Sequence, residues 1–275
     1  MHATPSLLHQ GFWRRSLDEF SRLTNIALKL EAIKGPSGPW ELHSFHKPEA
    51  IEDCKVMSDI DIGGQSTAHL DWVAPSQPTT SSPPATHNPH GHARFHGVIS
   101  TQLPKNRPDI KRTGYAGWRT QDKPATIFGR SLWNIDAYSY LAMRVKSDGR
   151  SYFINVQTES LIPTDLHQHR LFTTKPGEWQ TILIRWNDFV RTNHGYVVEP
   201  QTEILRQKVR SIGIGLTDRI PGPFEMCIER IWTTNDASEA DSTPKEAPVT
   251  ATPGVGLGEG ELKNKQGKKM KWGTQ

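Results

Sequence analysis

Four groups of residues in this 275-residue chain have types and spacings that chemistry could use. Asp59 and Asp61 stand two apart before Gly63-Gly64 and could give oxygen ligands to Ca²⁺. An EF-hand loop needs a third ligand and a downstream Glu, and neither stands at the right spacing, so a strand ending in a glycine turn is the preferred reading. His87, His90, His92 and His96 cluster in sequence. No Cys or carboxylate sits among them, and structural zinc sites have tighter spacing, so they read as part of a solvated insertion. Glu159 and Asp165 are a carboxylate pair of the kind glycosidases use. Nothing in the sequence fixes their separation or raises one pKa, and no Ser or Cys stands in a nucleophile elbow. Cys54 and Cys227 make neither a disulfide framework nor a zinc site. The chain therefore reads as a non-enzyme with no cofactor and no assigned metal. The fourth group is suited to binding: Trp118, Arg119, Asn155, Gln157, Asp165 and Arg170 combine an aromatic platform with polar side chains.

The elements that must position these residues are mainly strands. Tyr138 to Thr158 is the organising stretch. Leu141, Met143 and Val145 alternate with polar or small residues, and Tyr152, Ile154 and Val156 alternate with Phe153, Asn155 and Gln157, the period of half-buried strands. Asp148-Gly149 between them is a hairpin signal, so the two runs are expected to pair. Asn155 and Gln157 then share the exposed face. Further strands are expected at Leu42–Phe45, Ser66–Val73, Arg94–Thr101, around Trp118, at Trp179–Trp186, Val209–Leu216 and Phe224–Trp232. Leu161–Phe172 is polar and reads as a crossing segment whose Asp165, His167, Gln168, His169 and Arg170 line a cleft. In Val209–Leu216 the small residues Ser211, Gly213 and Gly215 fall opposite Ile212, Ile214 and Leu216, which permits close approach across that face. Repeated strands without alternating helices predict an antiparallel sandwich.

One helix is expected ahead of the strands. Trp13, Leu17, Phe20, Leu23, Ala27 and Leu30 recur at three- and four-residue spacing between Phe12 and Ile33, and Gly35-Pro36 stops the run. Such a stripe packs against its own domain or docks on a partner; the mixed-charge opposite face argues against a helix lying on a membrane. The domain plan is a targeting segment over 1–11, a helix over 12–35, a sandwich over 36–233 with a disordered insertion at 74–91, and a disordered tail over 234–275.

Composition limits the function classes. The net charge is +4 with both signs interspersed, and no basic stripe or RNA-binding signature precedes the tail, so nucleic acid is not an expected partner. No run of about 18 apolar residues occurs, so no membrane-spanning helix is expected. The 22 Gly and 20 Pro suit a turn-rich fold, and nine Trp suit a sandwich core. Lysines gather between Lys263 and Lys271, which suits peripheral contact with anionic lipid or an acidic partner.

Several short stretches in order carry a family resemblance. They are Ala27-Leu28-Lys29-Leu30-Glu31, Ser58-Asp59 with Gly63-Gly64, Gly97-Val98-Ile99-Ser100-Thr101, Gly114-Tyr115-Ala116-Gly117-Trp118-Arg119-Thr120, Leu141 to Tyr152, Asn155-Val156-Gln157-Thr158 and Lys208-Val209-Arg210-Ser211-Ile212-Gly213. Together they resemble the complex I intermediate-associated protein 30 family, over roughly Phe12 to Thr233. The resemblance implies a galactose-binding-like β-sandwich of jelly-roll type. It also implies a chaperone-like mitochondrial assembly factor for respiratory complex I, peripheral on the matrix side of the inner membrane. Its partners would be membrane-arm intermediates and other assembly factors. The family has no catalytic motif to carry over. The alternative is a carbohydrate-binding β-sandwich module, with Trp118 as its platform.

Overall fold

The computed structural model describes residues 11–28, 38–75, 88–127, 129–160, 162 and 164–240. The targeting segment, the helix beyond Leu28, most of the 74–91 insertion and nearly all of the tail lie outside these residues.

Helix α1 (Phe12–Leu28) precedes the strands β1 (Trp40–Ser44), β2 (Cys54–Ser58), β3 (Thr67–Val73), β4 (His92–Ile99), β5 (Ala116–Thr120), β6 (Ala125–Thr126), β7 (Gly129–Arg130), β8 (Tyr140–Ser147), β9 (Tyr152–Thr158), β10 (Asp165–Arg170), β11 (Trp179–Arg185), β12 (Val190–Asn193), β13 (Tyr196–Val197), β14 (Val209–Leu216) and β15 (Gly222–Thr234). One sheet has the order β11-β8-β15-β4-β3, with β1 also on β15. The other runs β13-β12-β10-β9-β14-β5-β2, and β6 pairs β7 separately. All the pairings are antiparallel. The chain passes repeatedly from one sheet to the other, which makes this a jelly-roll β-sandwich.

Period-2 patterning explains the core. Leu141, Met143 and Val145 of β8 and Tyr152, Ile154 and Val156 of β9 are all fully buried. Ile212, Ile214 and Leu216 of β14 and Phe224, Met226 and Ile228 of β15 join them. Trp118, Trp133 and Trp186 are also in this cluster.

Two expectations are corrected. First, β8 and β9 do not form a hairpin. β8 pairs β11 and β15, whereas β9 pairs β10 and β14 in the other sheet. Asp148-Gly149 does turn the chain, but into an arch between sheets, so the two apolar runs meet across the core instead of lying side by side. Asp148 fixes the arch: its carboxylate accepts from Arg150 N at 2.9 Å, Tyr152 Oη at 3.1 Å and Glu225 N at 2.8 Å. Second, the polar segment after residue 160 is not a crossing. Residues 165–170 form β10, a strand paired on both sides, by β9 and β12.

Candidate functional site: the outer face of the seven-stranded sheet

Alternation along β9 leaves Phe153, Asn155 and Gln157 half-exposed while their neighbours are buried. Register then decides what lies beside them. Gly213 stands opposite both Arg119 and Asn155, and Asn155 stands opposite Gln168. The next row brings Gly215, Phe153 and Arg170 together, and Ser211 faces Gln157. Arg119, Asn155, Gln157 and Arg170 therefore share one face. Trp118 and Asp165 do not, because their odd step along the strand turns them to the other side.

The polar groups on this face hold one another. Gln168 Nε2 donates to Asn155 Oδ1 at 2.7 Å, and Thr192 Oγ1 donates to Gln168 Oε1 at 2.9 Å. Ser211 Oγ donates to Gln157 Oε1 at 3.3 Å. Asp122 accepts from Arg210 Nε at 2.8 Å and Arg119 Nη1 at 3.1 Å, and the two guanidinium groups hold its carboxyl below the usual carboxylate range. Arg170 Nη2 donates to Ser151 Oγ at 2.7 Å, and its guanidinium lies 5.3 Å from the Phe172 ring centre. The result is a pre-ordered polar face with an excess of guanidinium groups. Such a face suits recognition of carbonyls and carboxylates on a partner. The close approach offered by the small residues is taken up within the sheet: a Cβ on Gly213 would stand 2.1 Å from the Trp118 carbonyl oxygen of β5.

The remaining candidates sit elsewhere. Trp118 is 1 % exposed and packs edge-on against Phe45 at 5.4 Å, so it cannot serve as a platform for a ligand on the surface. Asp165 and Glu159 line a pocket of about 240 Å³ with His167, Arg191 and Glu203. Asp165 accepts from Asn193 Nδ2 at 2.7 Å and Arg191 Nη2 at 2.6 Å, and Glu159 from Lys208 Nζ at 2.7 Å. These bonds push both carboxyls below their ordinary pKa. The pair stays ionised near neutrality, and neither member is poised as a general acid.

Asp59 is fully buried and its oxygens are already engaged: Ser66 N at 2.7 Å, Ser66 Oγ at 2.8 Å and Gly114 N at 2.6 Å all donate to it. Asp61 is exposed. The two acids do not converge on a shared cation position, and Asp59 instead joins the turn after β2 to the starts of β3 and β5. Burial pushes the Cys54 thiol up to about 12 and the Cys227 thiol up to about 11. Asp122 and Arg210 carry no signal of their own in the sequence: Arg210 reaches this face through the register of β14, and Asp122, just after β5, is held there by Arg119 and Arg210.

Helix α1 inverts the ordinary arrangement. Its polar side meets the domain: Ile127 N donates to Ser16 Oγ at 3.2 Å, and Ser131 Oγ donates to Glu19 Oε2 at 3.3 Å. Ser16 is buried. Trp13, Leu17 and Phe20 are 73 %, 67 % and 56 % exposed. The side chain of Leu23 lies outside the described residues.

Among solved structures, the family 11 carbohydrate-binding module from Clostridium thermocellum, in complex with a β-1,3-1,4-mixed-linked tetrasaccharide, is similar over 73 % of this chain and 98 % of its own, with 15 % identity and a TM-score of 0.49. Among curated proteins, the mitochondrial complex I intermediate-associated protein 30 of Neurospora crassa is 58 % identical, covering 100 % of this chain and 99 % of that protein. Its Drosophila melanogaster namesake is 29 % identical over 72 % of this chain and 63 % of its own length. The family model "Complex I intermediate-associated protein 30 (CIA30)" matches residues 43–228. A match over most of the described sandwich, together with end-to-end similarity to the Neurospora protein, places this chain in the complex I intermediate-associated protein 30 family.

Proposed function

We propose that this chain is a non-catalytic assembly factor for mitochondrial respiratory complex I. It acts on the matrix side of the inner membrane, holding membrane-arm intermediates together with other assembly factors. Family membership supports the complex I assignment. The observation that carries the mode of action is α1, which presents Trp13, Leu17 and Phe20 to solvent while its polar side rests on the domain. These residues follow an i, i+4, i+7 spacing, the pattern by which a helix anchors in an apolar groove. The occupant is an apolar surface of a membrane-arm subunit not yet covered by its neighbours. The guanidinium-rich outer face of the seven-stranded sheet adds a second, polar contact. The sugar-binding reading lacks its platform, because Trp118 is in the core.

The test is a pull-down of full-length tagged protein from mitochondria, resolved on native gels with mass spectrometry. The wild type is expected with membrane-arm subunits and assembly factors, and not with the finished enzyme. Trp13→Asp/Leu17→Asp changes exposed residues and is expected to abolish co-migration without lowering the melting temperature. Undiminished complexes with this variant would refute docking through α1. Absence of complex I subunits from the wild-type pull-down would overturn the assembly reading itself.

A further inference from the structure

We propose that His46, His90 and Glu229 form a binding site for one divalent transition-metal ion of the zinc class. Strand topology creates the site. Along one edge, β15 pairs β1 through residues 230–233 and β4 through residues 222–228. Glu229 is where the one neighbour gives way to the other. A bulge falls there, with register shifting between Ile228 and Arg230, and bulges re-aim side chains. His46 lies just beyond the end of β1, and His90 just ahead of β4. Two imidazoles and one carboxylate therefore meet at the junction of three strands.

The donor atoms are well placed for a metal. His46 Nε2 and His90 Nδ1 each lie 3.3 Å from the same oxygen, Glu229 Oε1. That is long for a charge-assisted hydrogen bond. It matches the ligand-to-ligand edge of a tetrahedral site, about 3.3 Å for donors 2.0–2.1 Å from zinc. The three donor atoms lie within 4.8 Å of one another. The His90 side chain is 56 % exposed, and its ring lies 4.8 Å from that of His46, centre to centre. The Glu229 side chain is only 9 % exposed, and among the described residues its carboxylate meets no Lys or Arg. A buried carboxylate without a cation is costly, and a metal between the three groups supplies the missing charge.

The backbone around the site is tightly held. Phe45 N donates to Glu229 O at 2.8 Å, and Trp72 Nε1 donates to Phe45 O at 2.9 Å. His90 N donates to Asn88 Oδ1 at 3.2 Å. Gly91 permits the approach of the two histidine segments, since a Cβ there would stand 2.8 Å from both the His46 carbonyl oxygen and the Trp72 ring. Two imidazoles select zinc-class ions over Ca²⁺ or Mg²⁺. With three protein ligands, a coordination position stays open to water or a partner's side chain. The ion clamps the exit of β1 and the entry of β4 to β15.

The experiment uses untagged full-length protein, stripped with chelator and titrated with Zn²⁺ by calorimetry and with Co²⁺ by its visible bands. One equivalent is expected to bind, with tetrahedral-type Co²⁺ absorption. His90→Ala and Glu229→Gln are expected to lose at least about tenfold in affinity, the scale on which even outer-shell partners of a metal act. Because Glu229→Gln alters a buried group, the exposed His90→Ala is the variant that decides if Glu229→Gln does not fold. His96→Ala, which removes a partner of Asp71 on β3, is expected to bind like the wild type. The proposal is overturned if no equivalent binds, if His90→Ala binds as tightly as the wild type, or if His96→Ala loses as much.

Discussion

Arg150 and Asp218 tie together two of the crossings between the sheets. Arg150 lies in the arch from β8 to β9 and Asp218 in the passage from β14 to β15. Nε and Nη2 of Arg150 donate to the two Asp218 oxygens at 3.0 and 2.7 Å. The same guanidinium donates to the carbonyls of Ile220, Gly222 and Pro223. The side chains are 14 % and 6 % exposed. Arg150→Ala leaves Asp218 buried without its cation and is expected to cost about 3–5 kcal/mol in urea unfolding. Arg150→Ala/Asp218→Ala should recover part of that loss, because the uncompensated charge is gone. A single variant within about 0.5 kcal/mol of wild type, the range of ordinary surface changes, would mean that the arch is held by Asp148 alone.

This arch also marks the limit of what the sequence carries. The alternation of Leu141, Met143 and Val145, and of Tyr152, Ile154 and Val156, identifies both strands and their buried faces. Asp148-Gly149 identifies a turn. Neither distinguishes a hairpin from an arch, because that depends on β10, β11, β14 and β15 competing as partners. Asp-Leu-His-Gln-His-Arg of β10 has no apolar alternation, and its pairing with β9 and β12 imposes the strand. The outer face was partly legible, since Asn155 and Gln157 follow from period 2. Alternation puts Trp118 and Arg119 on opposite faces of their strand, and only packing decides that Trp118 is the inward one. Glu229 and His46 are 183 residues apart, so their meeting has no local signal.

Asp59 gives a second prediction. Asp59→Ala removes the acceptor for Ser66 N, Ser66 Oγ and Gly114 N in a site closed to water. Each stranded buried donor costs about 1–3 kcal/mol, so a loss of at least about 3 kcal/mol is expected. Ser66→Ala removes only one of the three donors and should cost less. Both values come from chemical unfolding. Stabilisation of the wild type by Ca²⁺ that disappears in Asp59→Ala would show instead that the carboxylate holds a cation.

Trp118 separates core packing from ligand binding. Its ring fills the sandwich beside Phe45, and its Nε1 has no hydrogen-bond partner among the described residues. Trp118→Ala is expected to destabilise by about 3–5 kcal/mol through the cavity it leaves. Trp118→Phe keeps an aromatic ring and removes an unsatisfied N–H, so it should cost clearly less. A surface platform would give the opposite result, with both variants near wild-type stability and ligand binding altered.

Acid should weaken the fold in two stages with separate causes. Burial holds His43, His92, His167 and His169 below the ordinary histidine pKa. The unfolded chain therefore binds protons that the native protein refuses, and stability falls as pH drops from about 6.5 toward the folded values. Asp165 acts at lower pH. Its hydrogen bonds from Asn193 and Arg191 hold it below the ordinary carboxyl value. Its contribution is fully present above about pH 4 and is lost as pH falls through the folded pKa. Urea unfolding at intervals from pH 7 to pH 3 should show both declines. Asp165→Asn is expected to lower stability at pH 7 and flatten the lower decline, leaving the upper one in place. His167→Gln should reduce the upper decline and leave the lower one. A curve that is flat between pH 7 and pH 5 would mean that the buried histidines take up protons in the folded protein as readily as in the unfolded chain.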